Sequence, residues 1–224
     1  MTPTPEASTG PVPAPPVPAP PVPAPPAAAA PAPPAAVSAA GPTAAGLGVS
    51  ERFRQVLGHF CTGVTVITTM DADGLAGFAC QAFTALSLDP PLVLFCPSRS
   101  SVTWQRIARS GHFCVNVLTE SQRELARVFG TQGVDKFAGV SWSASGTGAP
   151  ILDGVLTWVG CTVAAVHDAG DHNVVVGRVA ELGPARAGEP LLFYRGRYGV
   201  PGPSEGPPEV VDTLLAWPRY ADWI

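Results

Sequence analysis

The groups best placed to do chemistry lie between Gly77 and Thr103. Pro97-Ser98-Arg99-Ser100-Ser101, with Thr103 close behind, offers hydroxyls, a guanidinium and the free N–H groups of a helix whose apolar spacing starts near Val102. Together these form an anion site, because unsatisfied N–H groups and the positive end of a helix dipole both favour a phosphate or carboxylate. The same residues also read as an ordinary Ser-rich helix cap. Upstream, Gly77-Phe78-Ala79-Cys80-Gln81-Ala82-Phe83 alternates as one strand, with Ala79, Gln81 and Phe83 on the face opposite Cys80. Asp89-Pro90-Pro91 ends that strand, since consecutive prolines cannot donate to a ladder. Leu92 to Cys96 is a continuous apolar run, as in a strand covered on both faces.

Other chemistries find little to work with. No paired carboxylates at catalytic spacing, no Ser–His–Asp ordering and no metal-ligand cluster stand out. His59 and His112 fall at element ends, where capping or surface roles are common. Gly170-Asp171-His172 reads as a polar hairpin turn, and His167 and Asp168 read as turn residues. Lys136, the chain's one lysine, reads as a solvated loop residue. Phe193-Tyr194-Arg195-Gly196 reads as a final strand with a snorkelling Arg. Trp104, Trp142 and Trp158 read as core.

These residues need a scaffold, and its signals are mostly local. Ser50 is a good N-cap for a helix presenting Phe53, Val56, Leu57 and Phe60 on one face. Gly63 to Thr69 is β-branched and reads as a strand, and Asp73-Gly74 is a hairpin signal that returns the next strand antiparallel. Trp104, Ile107 and Ala108 give a short helix ended by Ser110-Gly111, and Phe113 to Leu118 gives a strand. Ser121 to Glu124 has the form of a capping box, before a helix with Leu125, Val128 and Phe129 inside and Gly130 as its stop. Phe137 to Gly148 reads as irregular, and strands follow at Leu156–His167, Asn173–Leu182 and Leu191–Tyr194. Three short helices and roughly seven mostly antiparallel strands, without βαβ alternation, predict a mainly β fold: a closed or split antiparallel barrel with peripheral helices.

Composition divides the chain. Residues 1–46 hold 16 of the 27 prolines and include three tandem Pro-Val-Pro-Ala-Pro copies at residues 11–25. Such a segment reads as an extended, largely disordered Pro/Ala-rich tail, and it lacks the basic start and apolar stretch of a secretory signal. Residues 47–200 form the expected domain, and residues 201–224 a C-terminal extension. No apolar run approaches the roughly 20 residues needed to span a bilayer, so no membrane association is expected. A net charge of −4 without any basic cluster argues against nucleic acid. Five cysteines, an odd number with no C-x-x-C pair, all sit in apolar runs and point to a reducing cytoplasm.

Several motifs resemble a known family. Phe53, Gly58, Phe60, Thr62-Gly63-Val64, Gly77-Phe78, Phe83 and Ser87-Leu88-Asp89-Pro90-Pro91-Leu92 look like the flavin reductase-like, FMN-binding split-barrel family. Phe113 to Leu118, Gln122, Lys136-Phe137, Gly170-Asp171-His172, Gly177-Arg178-Val179 and Leu191 to Gly196 extend the match, in order, over about residues 50–200. The Gly77 to Phe83 run, Val93 to Pro97, Asp135 to Gly139, Val166-His167-Asp168 and the closing Asp222-Trp223-Ile224 are similar to one branch of it. That branch is the reductase components of actinobacterial 3-hydroxy-9,10-seco-steroid monooxygenases. Two departures stand out: Ala82 replaces a Ser, and Ser98-Arg99-Ser100 replaces a Thr-Lys-Thr-like loop.

The resemblance implies a homodimeric flavin reductase that uses NADH, with NADPH left open, to reduce FMN or FAD. The reduced flavin then diffuses to a partner oxygenase in steroid or aromatic-ring degradation. A phenol-type or antibiotic-tailoring oxygenase and a non-enzymatic flavin carrier are the alternatives. Such a protein needs no metal, only two flat rings held in contact and a neutralised phosphate. By resemblance the flavin lies on Gly77, Phe78, Ala79, Gln81, Ala82, Cys96 and Pro97, and Arg99 pairs its phosphate among Ser98, Ser100, Ser101 and Thr103, while Lys136 sits in a segment closing over it. His172, with Asp171, contacts the nicotinamide, and Phe193, Tyr194, Arg195 and Gly196 take the rest of the dinucleotide.

Overall fold

The structure is a computed structural model that describes residues 48–202. The tail reading for residues 1–46 and nearly all of the extension at 201–224 fall outside the described residues. Three helices, α1 (Val49–Leu57), α2 (Val102–Ser110) and α3 (Arg123–Gly130), flank twelve strands. In chain order these are β1 (Thr62–Gly63), β2 (Thr65–Asp71), β3 (Gly74–Cys80), β4 (Phe83–Leu88), β5 (Pro91–Phe95) and β6 (His112–Val117). They continue with β7 (Trp142–Ala144), β8 (Pro150–Leu152), β9 (Thr157–Ala169), β10 (His172–Leu182), β11 (Leu192–Tyr194) and β12 (Arg197–Gly199).

Seven strands form one antiparallel sheet in the order β3-β2-β6-β9-β10-β5-β4. Strands β2 and β6 are buried on both faces over most of their length. On one side Ile67, Phe95, Phe113, Val115 and Val175 pack under Trp104 and Ile107 of α2. On the other, Val66, Leu118 and Leu152 pack with Ala126 and Phe129 of α3. The threonines of β2 survive this burial because they are bonded: Thr65 Oγ1 donates to Cys80 O at 2.8 Å, and Thr68 Oγ1 to Cys114 O at 3.3 Å. The β2–β3 hairpin follows its local signal, with Gly74 at φ 96° beside the Asp73 turn. At Gly177 of β10 a side chain is excluded outright, since a Cβ would lie 2.4 Å from Phe113 Cζ.

The single strand expected through Gly77–Leu88 is two strands. β3 pairs with β2 while β4 pairs with β5, so consecutive strands occupy the two opposite edges of the seven-stranded sheet. The chain turns this corner at Gln81-Ala82, where Phe83 N donates to Gln81 O and Cys96 N to Ala82 O, both at 3.0 Å. Phe83 therefore does not continue the face of Ala79. Nor is β5 covered on both faces: Val93 and Phe95 are buried, while Leu92 and Leu94 are half-buried.

Other expectations shift by a few residues. Gly48, not Ser50, caps α1, which ends at Leu57 so that Phe60 lies past it; the apolar side of this segment is bare, with Phe53 64% and Phe60 74% exposed. The capping box is Thr119 with Gln122, because a 3₁₀ turn over Glu120–Gln122 precedes α3. Within the stretch expected to be irregular, β7 pairs with β8 and leaves Trp142 on the surface. Buried Asn116 ties that hairpin down: its Nδ2 donates to Val66 O and Pro150 O, and its Oδ1 accepts from Leu152 N at 2.8 Å. Thr62–Gly63, Leu192–Tyr194 and Arg197–Gly199 make a separate small sheet, turned at Arg195 (φ 49°) and Gly196 (φ 78°). Positive φ at both central residues marks a tight hairpin turn, and Arg in the place usually held by Asn hid it. Cys61 is exposed and Cys96 partly so, whereas Cys80, Cys114 and Cys161 are buried.

Candidate functional site

A cleft of about 800 Å³ opens at the Gln81-Ala82 corner. Its floor is the end of β3, Phe78 to Cys80, and one wall is Cys96-Pro97-Ser98, Ser100, Ser101 and the first turn of α2 with Thr103. The opposite wall is the end of α3 and the loop after it, with Phe129, Gly130, Gln132, Gly133 and Lys136, and His172 stands at the rim. Cys80, Val102, Phe129, Gly130, Gln132 and Gly133 were not foreseen; the last four come here through the docking of α3.

The walls are locked to each other at one carbonyl. Gly77 O accepts from Lys136 Nζ at 3.1 Å and from Thr103 Oγ1 at 3.4 Å, and Lys136 Nζ also donates to Phe129 O at 2.9 Å. Lys136 thus stands at the C-terminus of α3, where a cation is favoured by the helix dipole, although burial lowers its pKa. Gly77 does not line the cleft itself; a Cβ there would meet Phe129 Cε1 at 2.6 Å. The Ser101 hydroxyl caps α2, accepting from Trp104 N at 3.2 Å. Ser98 and Ser100 hold each other, Oγ to Oγ, at 2.9 Å.

The rim is built by the β9–β10 hairpin, turned at Gly170 (φ 66°) and Asp171. His172 Nδ1 bonds Asp171 Oδ1 at 2.8 Å, and this bond lowers the Asp171 pKa. Asp171 lies outside the cleft lining, and so does Arg99, whose guanidinium reaches Asp168 at 3.7 Å.

The four residues expected to take the rest of a dinucleotide are not gathered at His172. Phe193 and Gly196 line an apolar cleft of about 990 Å³ with Leu57 and Phe60, which shares Gln81, Ala82 and Cys96 with the first cleft. Tyr194 and Arg195 line a third, of about 790 Å³, with Arg197 and Tyr198.

The donor set suits a flat aromatic ligand carrying a phosphate. An ammonium, two exposed hydroxyls and the N–H groups opening α2 meet an anion, and Phe78, Ala79 and Ala82 offer an apolar bed for a ring. Burial pushes the Cys80 thiol up to about 12, which disfavours it as a nucleophile.

Comparison with known proteins agrees. Residues 57–201 match the family described as flavin reductase like domain. The chain is 56% identical over 168 residues to the flavin-dependent monooxygenase reductase subunit HsaB of Mycobacterium tuberculosis H37Rv, covering 74% of this chain and 90% of that one. Among solved structures it resembles nitrilotriacetate monooxygenase component B from Mycobacterium thermoresistibile, 53% identical with a TM-score of 0.68 over 71% of this chain and 90% of that one. It also resembles the NADH:FAD oxidoreductase SgcE6 of Streptomyces globisporus C-1027, solved with NAD and FAD fragments. That match is 34% identical, with a TM-score of 0.63 over 71% of this chain and 93% of that one. On the family match over residues 57–201 and these identities, the chain belongs to the flavin reductase-like domain family.

Proposed function

We propose that this protein is an NADH-dependent flavin reductase that passes reduced FMN or FAD to a separate flavin-dependent monooxygenase. The observation carrying this reading is the cleft at the Gln81-Ala82 corner, where an anion-binding wall, an apolar bed and a carboxylate-held imidazole converge. Bound flavin supplies the two-electron acceptor. Ser98, Ser100, Lys136 and the α2 N-terminus hold its phosphate, Phe78 to Ala82 bed its ring, and His172 positions the dihydronicotinamide at the rim. NADH is favoured by the similarity to an NADH:FAD oxidoreductase and to the FMN reductase (NADH) SmoA of Agrobacterium fabrum. Similarity to HsaB favours an oxygenase acting in steroid or aromatic-ring degradation over a phenol-type or antibiotic-tailoring partner.

The finer architecture is a split β-barrel that works as a homodimer. The edge strands β3 and β4, one short corner apart, support the barrel. The bare face of α1 and the buried but unpartnered Thr62 Oγ1 beside the apolar cleft support a second copy covering this side. In that assembly Phe193, Tyr194, Arg195 and Gly196 take part of the dinucleotide, at a site built by both subunits. No described helix is long and apolar enough to cross a membrane, and the free cysteines suit a reducing cytoplasm.

The test is NADH consumption, followed by absorbance, with and without added FMN or FAD. Turnover that requires free flavin is expected. Flavin binding with NADH left untouched would instead make the protein a carrier.

A further inference from the structure

The loop expected to clasp a phosphate with Arg99 does something else with that residue. Ser98 and Ser100 face the cleft, but Arg99 between them turns outward, its side chain 54% exposed and 3.7 Å from Asp168, itself 79% exposed. The backbone around it is sewn to the β9–β10 hairpin. Arg99 N donates to Asp171 O, Asn173 N donates to Pro97 O, both at 3.0 Å, and Ser98 forms an antiparallel bridge with His172. Within this seam Asp171 Oδ1 holds His172 Nδ1, leaving Nε2 as the ring's remaining polar atom.

We infer that Arg99 is a positioning residue, which with Asp168 clamps the tip of the β9–β10 hairpin onto the loop before α2 and so sets His172 at the cleft rim. This rests on the flavin reductase reading and assigns Arg99 to the dinucleotide half of the reaction rather than to the flavin phosphate. The ion pair lies open to water at its edge, so its contribution is modest and screened by salt. The backbone bonds form the seam, and the side-chain pair selects its tightest arrangement.

The two roles give opposite binding patterns. Flavin affinity is read by quenching of FMN fluorescence, and NAD+ affinity by calorimetry at saturating FMN, for wild type, Arg99→Ala, Asp168→Ala and the exchange Arg99→Asp with Asp168→Arg. Both alanine variants are expected to weaken NAD+ roughly two- to fivefold, the range of exposed ion pairs, with FMN affinity unchanged. The exchange variant is expected to restore NAD+ affinity, and the difference between wild type and Arg99→Ala should vanish at high salt. Weaker FMN binding in Arg99→Ala with Asp168→Ala silent, unchanged NAD+ affinity in both, or an exchange without rescue would overturn the inference. Wild-type protein that bound neither ligand would overturn the flavin reductase reading and this inference with it.

Discussion

At the scale of single residues, His172 and Asp71 carry the clearest expectations. His172 meets the loop before α2 through its backbone bridge to Ser98, while its ring is held by Asp171, so His172→Ala should raise the KM for NADH about five- to tenfold, the cost of one hydrogen bond. Flavin affinity in that variant, read by fluorescence quenching, should not move. Asp71 accepts from Arg106 Nε at 3.1 Å and from Arg106 Nη2 and Arg109 Nη2, joining the β2–β3 turn to α2. The Arg106 hydrogen bonds hold its carboxyl at about 2, below the ordinary 3.8, so folding favours the ionised form. That stabilisation is in force above about pH 4 and is lost as pH falls toward 2. Acid unfolding followed by circular dichroism should therefore be less steep in Asp71→Asn across that interval. Of these residues His172 was legible, since Gly170-Asp171 announces a turn whose flank must be exposed. The outward direction of Arg99 was not, because charge and position alone do not say which of two partners a guanidinium meets.

Among the elements, hairpins with their own turn chemistry could be read directly, as at Asp73-Gly74 and Gly170-Asp171. The corner at Gln81-Ala82 has neither Gly nor Pro, and its cause is tertiary: β3 and β4 must reach opposite edges of one sheet. The β7–β8 hairpin was equally hidden, since buried Asn116, distant in sequence, satisfies its backbone. Docking of α3 is likewise a matter of contacts, and Lys136 is the bond to test. Lys136→Met leaves Gly77 O and Phe129 O without that donor and should cost about 1–2 kcal/mol, seen as a lower urea midpoint. Flavin affinity should fall with it, because the wall at Gly130 to Gly133 loses its tie to β3. If stability falls while flavin binding is unchanged, that wall is not part of the site.

For the whole molecule, the bare apolar face of α1 is where the proposed homodimer can be tested. Its spacing was legible, but spacing cannot tell a face that meets the chain's own core from one that meets a second copy. Phe53→Asp should shift sedimentation toward the monomer and weaken flavin binding if both subunits build each site. The corner that opens the cleft has a different consequence, for solubility. A sheet's edge strands are templates on which another chain can pair, and proteins must guard them. Here both edges belong to strands joined by just Gln81 and Ala82, so the two residues that open the candidate cleft also tether the sheet's two edge strands to each other. Lengthening that link to enlarge the cleft is expected to loosen both edge strands at once, and light scattering should then report more aggregation than in the wild type.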